Sequence, residues 1–288
     1  MSKLIKQTGV FGLAAAVALA ITVCGQTVWG VLAIVNLKLD PAVPWAAGVM
    51  AAILTGLLLF LSGRIGPKGS AAARKRLLRW NPVKPRVFAF AVFAGVLGLG
   101  ALGGAWIALS DVVRIPPGLT PSTHGIPIWT GILFLITASL AAPLTEEAAF
   151  RGYAMGMLEK SWGPIGAIVG STVLFAAVHI NQGADIAKLS LYFSGGLIFA
   201  GVAYLTNSLY PAMIVHSLGD VMGFTLLWPH DAPHRLVTEG GHDPLFVPAV
   251  AALVVFLPLA LLAFRHLARM TRGATGRNSP VRLMAVAA

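Results

Sequence analysis

The sequence predicts an all-α polytopic membrane protein with about eight transmembrane helices. Of its 288 residues, 57% are hydrophobic and only 11% are charged, and the mean hydropathy is +0.81. About a quarter of the residues of a soluble domain are charged, so this chain has too few charges to cover a soluble surface of its size. Apolar stretches of about 20 residues recur along it, each long enough to cross a bilayer core of about 30 Å. Lipid is therefore the expected solvent.

The apolar runs define the expected spans. The first run follows Lys3 and Lys6 and is too long for the core of a signal peptide, so we predict a retained first span. The fourth run exceeds one crossing, and Pro143 within it predicts a kink or a break. The predicted spans are 9–36, 44–62, 87–109, 128–158, 164–180, 187–206, 209–228 and 245–264.

The charge distribution predicts the orientation of these spans. With a cytoplasmic N-terminus, sixteen basic residues fall inside the cytoplasm and four fall outside, which is the bias expected of membrane proteins. The inside set is Lys3, Lys6, Arg64, Lys68, Arg74, Lys75, Arg76, Arg79, Lys84, Arg86, Lys160, Arg265, Arg269, Arg272, Arg277 and Arg282. The outside set is Lys38, Arg114, Lys188 and Arg235. Both termini are expected in the cytoplasm.

The same reasoning removes nucleic acid from the expected partners. The net charge of +11 is explained by orientation, and the basic loop 63–86 is expected to face anionic lipid. Trp80 is the single aromatic residue of this loop, so there is no series of rings interleaved with the charges to stack on bases. The short loops are typical of a bacterial protein, so we expect the bacterial inner membrane.

Cysteine and histidine usage argues against a cofactor or metal. The single cysteine, Cys24, excludes an internal disulfide and a cysteine-rich metal site. The loop 229–244 contains His230, His234 and His242, but their spacing matches no common zinc pattern. We interpret it as a solvated loop and predict no cofactor and no bound metal.

Five acidic or histidine residues lie inside apolar runs, where lipid makes them costly. They are Glu146, Glu147, His179, His216 and Asp220. A charged group at the centre of a span costs about 2.5–3.5 kcal/mol on insertion scales. Such residues tend to be functional, and they tend to pair because an unpaired buried charge is worse than a paired one. We expect the five to converge near mid-membrane.

Helical geometry assigns them partners. At about 100° per residue, Glu147 and Arg151 share a helix face, as do His216 and Asp220. Glu146 points about 140° away from Arg151 on the same count and is left without a local cation. A desolvated carboxylate of this kind is suited to general base chemistry, particularly near a histidine.

Three motifs in these runs resemble those of a known family. Residues 146–151 read EEAAFR, of the form EExxxR; residues 175–179 read FAAVH, of the form FxxxH; residues 216–220 read HSLGD, of the form Hxxx(N/D). Their order on separate apolar segments resembles the CPBP family of intramembrane glutamic endopeptidases. That family includes the CAAX prenyl endopeptidase Rce1 and bacterial Abi or bacteriocin-immunity proteins. The motifs cover about 75 residues, from Glu146 to Asp220.

The resemblance implies a metal-independent peptidase in which a glutamate activates water. Carried over by position, Glu146 is the general base and His179 helps to hold and polarise the water. Glu147 and Arg151 support the first motif, and Phe175 shapes the cavity as a substrate-binding residue.

The third motif implies an oxyanion-stabilising pair, His216 and Asp220. The family frequently has asparagine at the last position. An aspartate cannot donate a hydrogen bond unless it is protonated, so we expect Asp220 to orient His216.

The chain is expected to divide into three regions. Residues 1–127 form a three-span region with the basic cytoplasmic loop, 128–228 the catalytic core, and 229–288 the last span and a basic cytoplasmic tail. The implied partners are membrane lipids and a peptide or protein substrate, including a lipidated one.

Several alternatives differ in chemistry. The nearest string to the rhomboid GxSG motif is Tyr192–Gly195, and both HExxH and the GxGD pattern are absent. Two glutamates, two histidines and an aspartate could bind zinc or iron, so an intramembrane metalloprotease remains open. A non-catalytic immunity or partner-binding protein also remains open. A proton-coupled transporter is a third alternative, although the spans show no evident inverted repeat.

Overall fold

The fold is entirely helical over the part of the chain that the structure describes. This computed structural model describes residues 3–116, 125–227, 235–241 and 243–272. The predicted all-α polytopic class is confirmed. The α-helices are α1 (Lys3–Leu39), α2 (Trp45–Leu61), α3 (Lys68–Leu77), α4 (Pro85–Val112), α5 (Ile128–Glu146), α6 (Met155–Val178), α7 (Ile186–Thr206), α8 (Leu209–Met222) and α9 (Phe246–Thr271).

Five helical segments of the described chain are long and apolar enough to cross a membrane, which indicates an integral membrane protein. They are Gln7–Leu39, Pro85–Val112, Ile128–Val178, Ile186–Thr206 and Phe246–Thr271. These segments contain six of the predicted spans, because Ile128–Val178 is 51 residues long and holds two of them.

The remaining two predicted spans are shorter than expected. Helix α2 has 17 residues and α8 has 14. At 1.5 Å per residue they rise roughly 26 and 21 Å, less than the about 30 Å of hydrocarbon. Helix α8 continues into a five-residue π-helix, Gly223–Leu227. Six of the predicted spans thus lie in long apolar segments of the described chain, and two lie in the shorter helices α2 and α8.

The long segment from Ile128 is interrupted at two places, neither of them Pro143. Helix α5 continues through Pro143 to Glu146, and the hydrogen-bond pattern then changes to a π-helix over Glu147–Ala154. The second interruption is Gly163, which has φ 69° and ψ −177°. Residues before proline avoid the α region, and glycine alone tolerates this φ easily, so Gly163 before Pro164 separates the two crossings.

The basic loop contains a helix that the sequence analysis did not predict. Helix α3 places Arg74, Lys75 and Arg76 in its last turn, where the helix dipole favours cations. Its Arg74 guanidinium lies 4.2 Å above the ring of Phe60, at the end of α2. The loop is thereby tied to the end of the bundle.

Contacts between loops group them at two ends of the bundle. At one end Arg79 forms an ion pair with Glu159 and donates to Asn207 Oδ1 at 3.1 Å. At the other end Arg114 pairs with Glu239 at 2.7 Å, and the Lys188 ammonium donates to the carbonyl of Pro116. If successive spans cross the membrane in alternating directions, the loops grouped at each end of the bundle are those expected on the same side of the membrane. Which end faces the cytoplasm stays a prediction.

Glycines allow two pairs of helices to approach closely. A Cβ on Gly25 of α1 would lie 2.5 Å from Thr145 Cγ2 of α5, and one on Gly104 of α4 would lie 2.5 Å from the Ala249 carbonyl oxygen of α9. Such contacts are typical of small residues between membrane helices. The first brings α1 against the polar end of α5.

Candidate active site

The two adjacent glutamates lie at the junction between α5 and the π-helix. Glu146 ends α5, and Glu147 begins the π-helix. Glu147 Oε1 lies 3.1 Å from Arg151 Nη1, and both side chains are fully buried, so the expected pair is present. A π-helix bonds i to i+5 and turns by less than 100° per residue, so the angle of about 140° expected between Glu146 and Arg151 does not apply here.

Arg151 is held on three sides. Besides the pair with Glu147, its Nη2 donates to the Gly196 carbonyl of α7 at 3.1 Å. The guanidinium also lies 4.2 Å above the ring of Phe175, a favourable cation–π contact. A Cβ on Gly196 would lie 2.9 Å from Thr172 Cγ2 and 3.2 Å from Arg151 Nη2. Glycine at this position is what lets α7 approach the guanidinium.

His216 of α8 connects the two glutamates. Its Nδ1 lies 2.9 Å from Glu147 Oε1, and its Nε2 lies 3.7 Å from Glu146 Oε2 and 3.5 Å from Asp220 Oδ1. Because a carboxylate accepts, Nδ1 carries the donated proton. The contact with Glu147 was not predicted. It fixes the imidazole more directly than Asp220, which lies beside the other ring nitrogen.

His179 is oriented by its own helix. Its Nδ1 lies 2.8 Å from the carbonyl oxygen of Phe175, and a carbonyl can only accept, so Nδ1 is the donor and Nε2 of the neutral ring is left to accept. The ring stacks on Tyr192 with centroids 4.0 Å apart, and the Tyr192 hydroxyl donates to Gln182. The FxxxH spacing thus sets the tautomer, and stacking on Tyr192 sets the ring plane.

A cavity of about 360 Å³ contains most of the predicted site. Its wall includes Glu146, Phe175, His179, His216 and Asp220. Asp220 Oδ2 is buried and makes no hydrogen bond to the described residues. The other predicted residues, Glu147 and Arg151, lie behind the wall.

Two layers can therefore be distinguished. The front layer is Glu146, His179 and Asp220, which face the cavity, and the rear layer is Glu147, Arg151 and Gly196, which are bonded to one another behind it. His216 lines the cavity and contacts both layers.

Gln26 and Lys188 are among the polar residues of the cavity wall that were not predicted for the site. Gln26 of α1 donates from Nε2 to Glu146 Oε1; a lone amide in the middle of an apolar run was the only available signal. Lys188 was assigned to an outside loop, yet it lies in the first turn of α7, only 4% exposed, with Asp185 Oδ2 at 4.0 Å. Neither partner could be inferred from helical spacing.

No group of three or more His, Cys, Asp or Glu side chains able to hold a metal ion occurs among the described residues. The loop histidines His230, His234 and His242 lie outside those residues.

Glu239, which belongs to the same loop, lies within the described residues and is exposed. Its hydrogen bond with Arg114 lowers the pKa of the Glu239 carboxyl below its usual value.

A known protein family matches the segment of the chain that contains these site helices. The segment from residue 127 to residue 222 matches the family model described as type II CAAX prenyl endopeptidase Rce1-like. This segment, about a third of the chain, is similar to that family. The match supports the resemblance drawn from the three motifs, all of which lie within the matched segment. Comparison with curated proteins and with solved structures gives no significant match.

The Rce1-like segment runs from the start of α5 to the end of α8. All seven residues predicted for the site lie within it, from Glu146 to Asp220. Gln26 of α1 and the cavity residues of α4 lie outside it. The cavity wall is therefore completed by helices that the family model does not cover.

Proposed function

We propose that this protein is a membrane-embedded endopeptidase in which Glu146 activates a water molecule for hydrolysis of a peptide bond. The observation that carries the proposal is that Glu146 lines the same cavity as His179 and His216, with the ion pair of Glu147 and Arg151 fixed behind it. A general base needs such access to a water and to a substrate carbonyl.

The proposed reaction begins with a water hydrogen-bonded to Glu146 and to His179 Nε2. Glu146 removes a proton as the water oxygen bonds to the carbonyl carbon of the peptide. The resulting tetrahedral intermediate carries an oxyanion, and its collapse breaks the C–N bond. The proton held by Glu146 then passes to the leaving nitrogen, which restores the carboxylate and completes the hydrolysis.

His216 is proposed to stabilise the oxyanion. With Nδ1–H committed to Glu147 at 2.9 Å, a proton on Nε2 makes the ring an imidazolium whose second donor points into the cavity. Donors aimed at the developing oxyanion are a large source of rate acceleration in acyl transfer. Asp220, 3.5 Å from the same nitrogen, is proposed to help hold this ring and its charge.

The membrane location and orientation that we propose are those predicted from the sequence. We propose a location in the bacterial inner membrane with both termini in the cytoplasm, no cofactor and no metal. The substrate class is a peptide or protein, with lipidated CAAX-type substrates suggested by the description of the matched family.

The test is cleavage of a quenched-fluorescence CAAX-type peptide, with and without a prenyl group, by the purified full chain in liposomes. We expect cleavage that is lost in Glu146→Gln and in His179→Ala. The matched control is Glu239→Gln, a glutamate outside the cavity, which should cleave at the parental rate. Thermal unfolding in detergent checks that each variant is folded.

Other outcomes identify the alternatives. Full activity in folded Glu146→Gln would overturn the proposed mechanism. Activity abolished by a chelator and restored by one metal would replace it with a metalloprotease. Retention of a toxin-protection phenotype in cells by Glu146→Gln would instead indicate a non-catalytic binding protein.

A further inference from the structure

The cavity is closed at the end near the start of α7. Lys188 of α7, Trp106 of α4 and Leu227 of the π-helix after α8 line this end, and they are only 4%, 3% and 4% exposed. The first turns of α7 pack against the buried cluster that contains Trp106 and Leu227. Gln26, which donates to Glu146, also lines the cavity but is exposed. The cavity therefore reaches the surface beside Glu146 and stops at Lys188.

A cation is buried in this closed end. The Lys188 ammonium donates to the carbonyl of Pro116, and Asp185 Oδ2 lies 4.0 Å from its Nζ, beyond hydrogen-bond distance. An ammonium carries three donors, so its contacts among the described residues leave room for an acceptor supplied by a ligand. A buried charge is costly unless it is well paired, so an anion in the cavity would find a favourable partner here.

Gln182 adds an amide donor at the same end. It lines the cavity, and its Oε1 accepts from the Tyr192 hydroxyl. Because the oxygen end of the amide is held by Tyr192, the Nε2 end is directed away from that hydroxyl and can donate to a ligand. A Cβ on the adjacent Gly183 would lie 2.5 Å from Lys188 Cδ and 3.1 Å from its Nζ. Glycine at 183 thus lets the lysine side chain lie against the backbone next to Gln182.

The position of the cation along α7 sets a length. Tyr192 and Phe199 of α7 stack on the two site histidines, with centroid distances of 4.0 and 4.2 Å. The site therefore faces α7 near Gly195, which lies between them and lines the cavity. Lys188 is seven residues nearer the start of the helix, about 10 Å at 1.5 Å per residue. Three residues of extended chain span roughly 10–11 Å, so about three residues fit between the scissile bond and the ammonium.

A chain terminus is the anion that fits this arrangement. A polypeptide that continued past Lys188 would meet the buried residues of the closed end, whereas a chain that stops there presents its terminal carboxylate. An aspartate or glutamate side chain has the same charge but leaves the rest of its chain to be placed. The wall between is mainly apolar, with Leu102, Leu191 and Phe224, and it favours aliphatic side chains in the last residues.

We propose that Lys188, together with Gln182, binds the C-terminal carboxylate of the substrate, so that the enzyme removes about three residues from the end of a chain. The inference rests on the proposed peptidase function and narrows its substrates to peptides with a free C-terminus. The CAAX-type substrates proposed above have three residues after the cysteine at their C-terminus. Lys188 sets where such a chain ends, and Glu146 lies where the bond is broken.

The test compares two peptides that differ in one group. A quenched-fluorescence CAAX-type peptide is prepared with a C-terminal carboxylate or with a C-terminal amide and supplied to the purified full chain in liposomes. A hydrogen-bonded charge favours the carboxylate by about ten- to hundredfold in kcat/KM, mainly through KM. In Lys188→Met this preference should fall to about one, and Lys188→Arg should keep most of it.

The matched control is Lys38→Met, an exposed lysine in the last turn of α1. It should keep the parental preference for the carboxylate. Gln182→Leu should reduce the preference in part, and it provides a second variant if Lys188→Met does not fold. Equal cleavage of both peptides by the parental chain would overturn the inference, as would an unchanged preference in folded Lys188→Met.

A binding measurement separates the inference from the proposed function. A fluorescent tripeptide with aliphatic side chains, as the acid or the amide, is titrated with the parental chain in detergent and followed by anisotropy. Tighter binding of the acid that is lost in Lys188→Met, without cleavage of either longer peptide, would leave the carboxylate site standing and remove the peptidase function. Cleavage without any preference for the acid would do the reverse, and neither cleavage nor binding would overturn both.

Discussion

The front and rear layers of the site use similar residues in opposite ways. Both contain a glutamate, yet Glu147 is bonded to Arg151 and His216 at 3.1 and 2.9 Å, whereas Glu146 has the Gln26 amide and a histidine nitrogen at 3.7 Å. The rear charge is compensated by a fixed cation. The front charge faces a space where a water and a peptide bond can be placed.

Two adjacent glutamates thus have separate tasks because their partners differ. A buried ion pair holds its partners in one geometry and is strongly destabilising when only one partner is removed. A carboxylate without such a partner can exchange a proton during a reaction. We therefore expect substitutions in the front layer to reduce catalytic activity and substitutions in the rear layer to reduce the stability of the fold.

The largest expected effect is on catalysis at the front layer. Glu146→Gln keeps the volume and the contact with Gln26 but removes the base, so peptide cleavage should fall by about 10²–10⁴-fold. Thermal unfolding should show no loss of stability. A variant that instead unfolds while the folded fraction keeps its activity would assign Glu146 to the structural layer.

The rear layer should respond through stability. Arg151→Met leaves Glu147 buried without its cation, and removal of one partner from a buried pair costs about 3–5 kcal/mol. We expect this loss in the free energy of unfolding measured in detergent, together with loss of activity.

The double variant Glu147→Gln/Arg151→Met is the control for this prediction. It removes both charges, so stability should recover in part, whereas activity should not because His216 loses its carboxylate partner. Unchanged stability in Arg151→Met alone would contradict the division into layers.

Substitution of Gln26 tests whether the front layer includes a residue outside the Rce1-like segment. Its amide donates to Glu146, and a hydrogen bond to a charged group contributes about 1.5–3 kcal/mol. Gln26→Ala should lower kcat by roughly ten- to hundredfold with little change in KM, if the amide orients the base.

The matched control is Gln7→Ala on the same helix, whose amide bonds the Ser161 carbonyl at the other end of the bundle. Equal losses of kcat in the two variants would show that both glutamines act only through the packing of α1.

The smallest effect is expected outside both layers. Arg114 lowers the pKa of the exposed Glu239 carboxyl, so the pair contributes stability above the pKa of an unfolded glutamate and loses it as pH falls through the lower folded value. Arg114→Ala should slightly lower Tm at neutral pH and low salt, with the difference vanishing in acid. Cleavage activity should not change; a loss as large as that of Gln26→Ala would extend the site to this loop.

The sequence was sufficient for what depends on local spacing. The all-α membrane class followed from composition, and the contact of Glu147 with Arg151 followed from i,i+4 spacing. His216 and Asp220 also lie within 3.5 Å of each other, as the same spacing predicts. His216 and Asp220 lie within α8, where 3.6 residues per turn sets the distance. Glu147 and Arg151 lie within the π-helix, where residues four apart are also close to one turn apart.

Contacts between helices could not be obtained in this way. The bond from His216 to Glu147 joins two helices, and the Gln26 contact depends on the close approach that Gly25 allows. The angle between Glu146 and Arg151 was calculated for an α-helix, and a π-helix is not visible in residue spacing. The catalytic roles of the seven site residues stay proposals.

The π-helix over Glu147–Ala154 has a consequence for chain length in this segment. A π-turn is equivalent to an α-helix with extra length inserted, so deleting one residue would allow a return to α-helical bonding. An inserted residue ahead of Phe150 would instead rotate the part beyond it by about 100° and shift it by about 1.5 Å relative to α5. Phe150 and Arg151 would leave the positions in which they meet Phe175. The segment is therefore expected to tolerate conservative substitution better than an insertion.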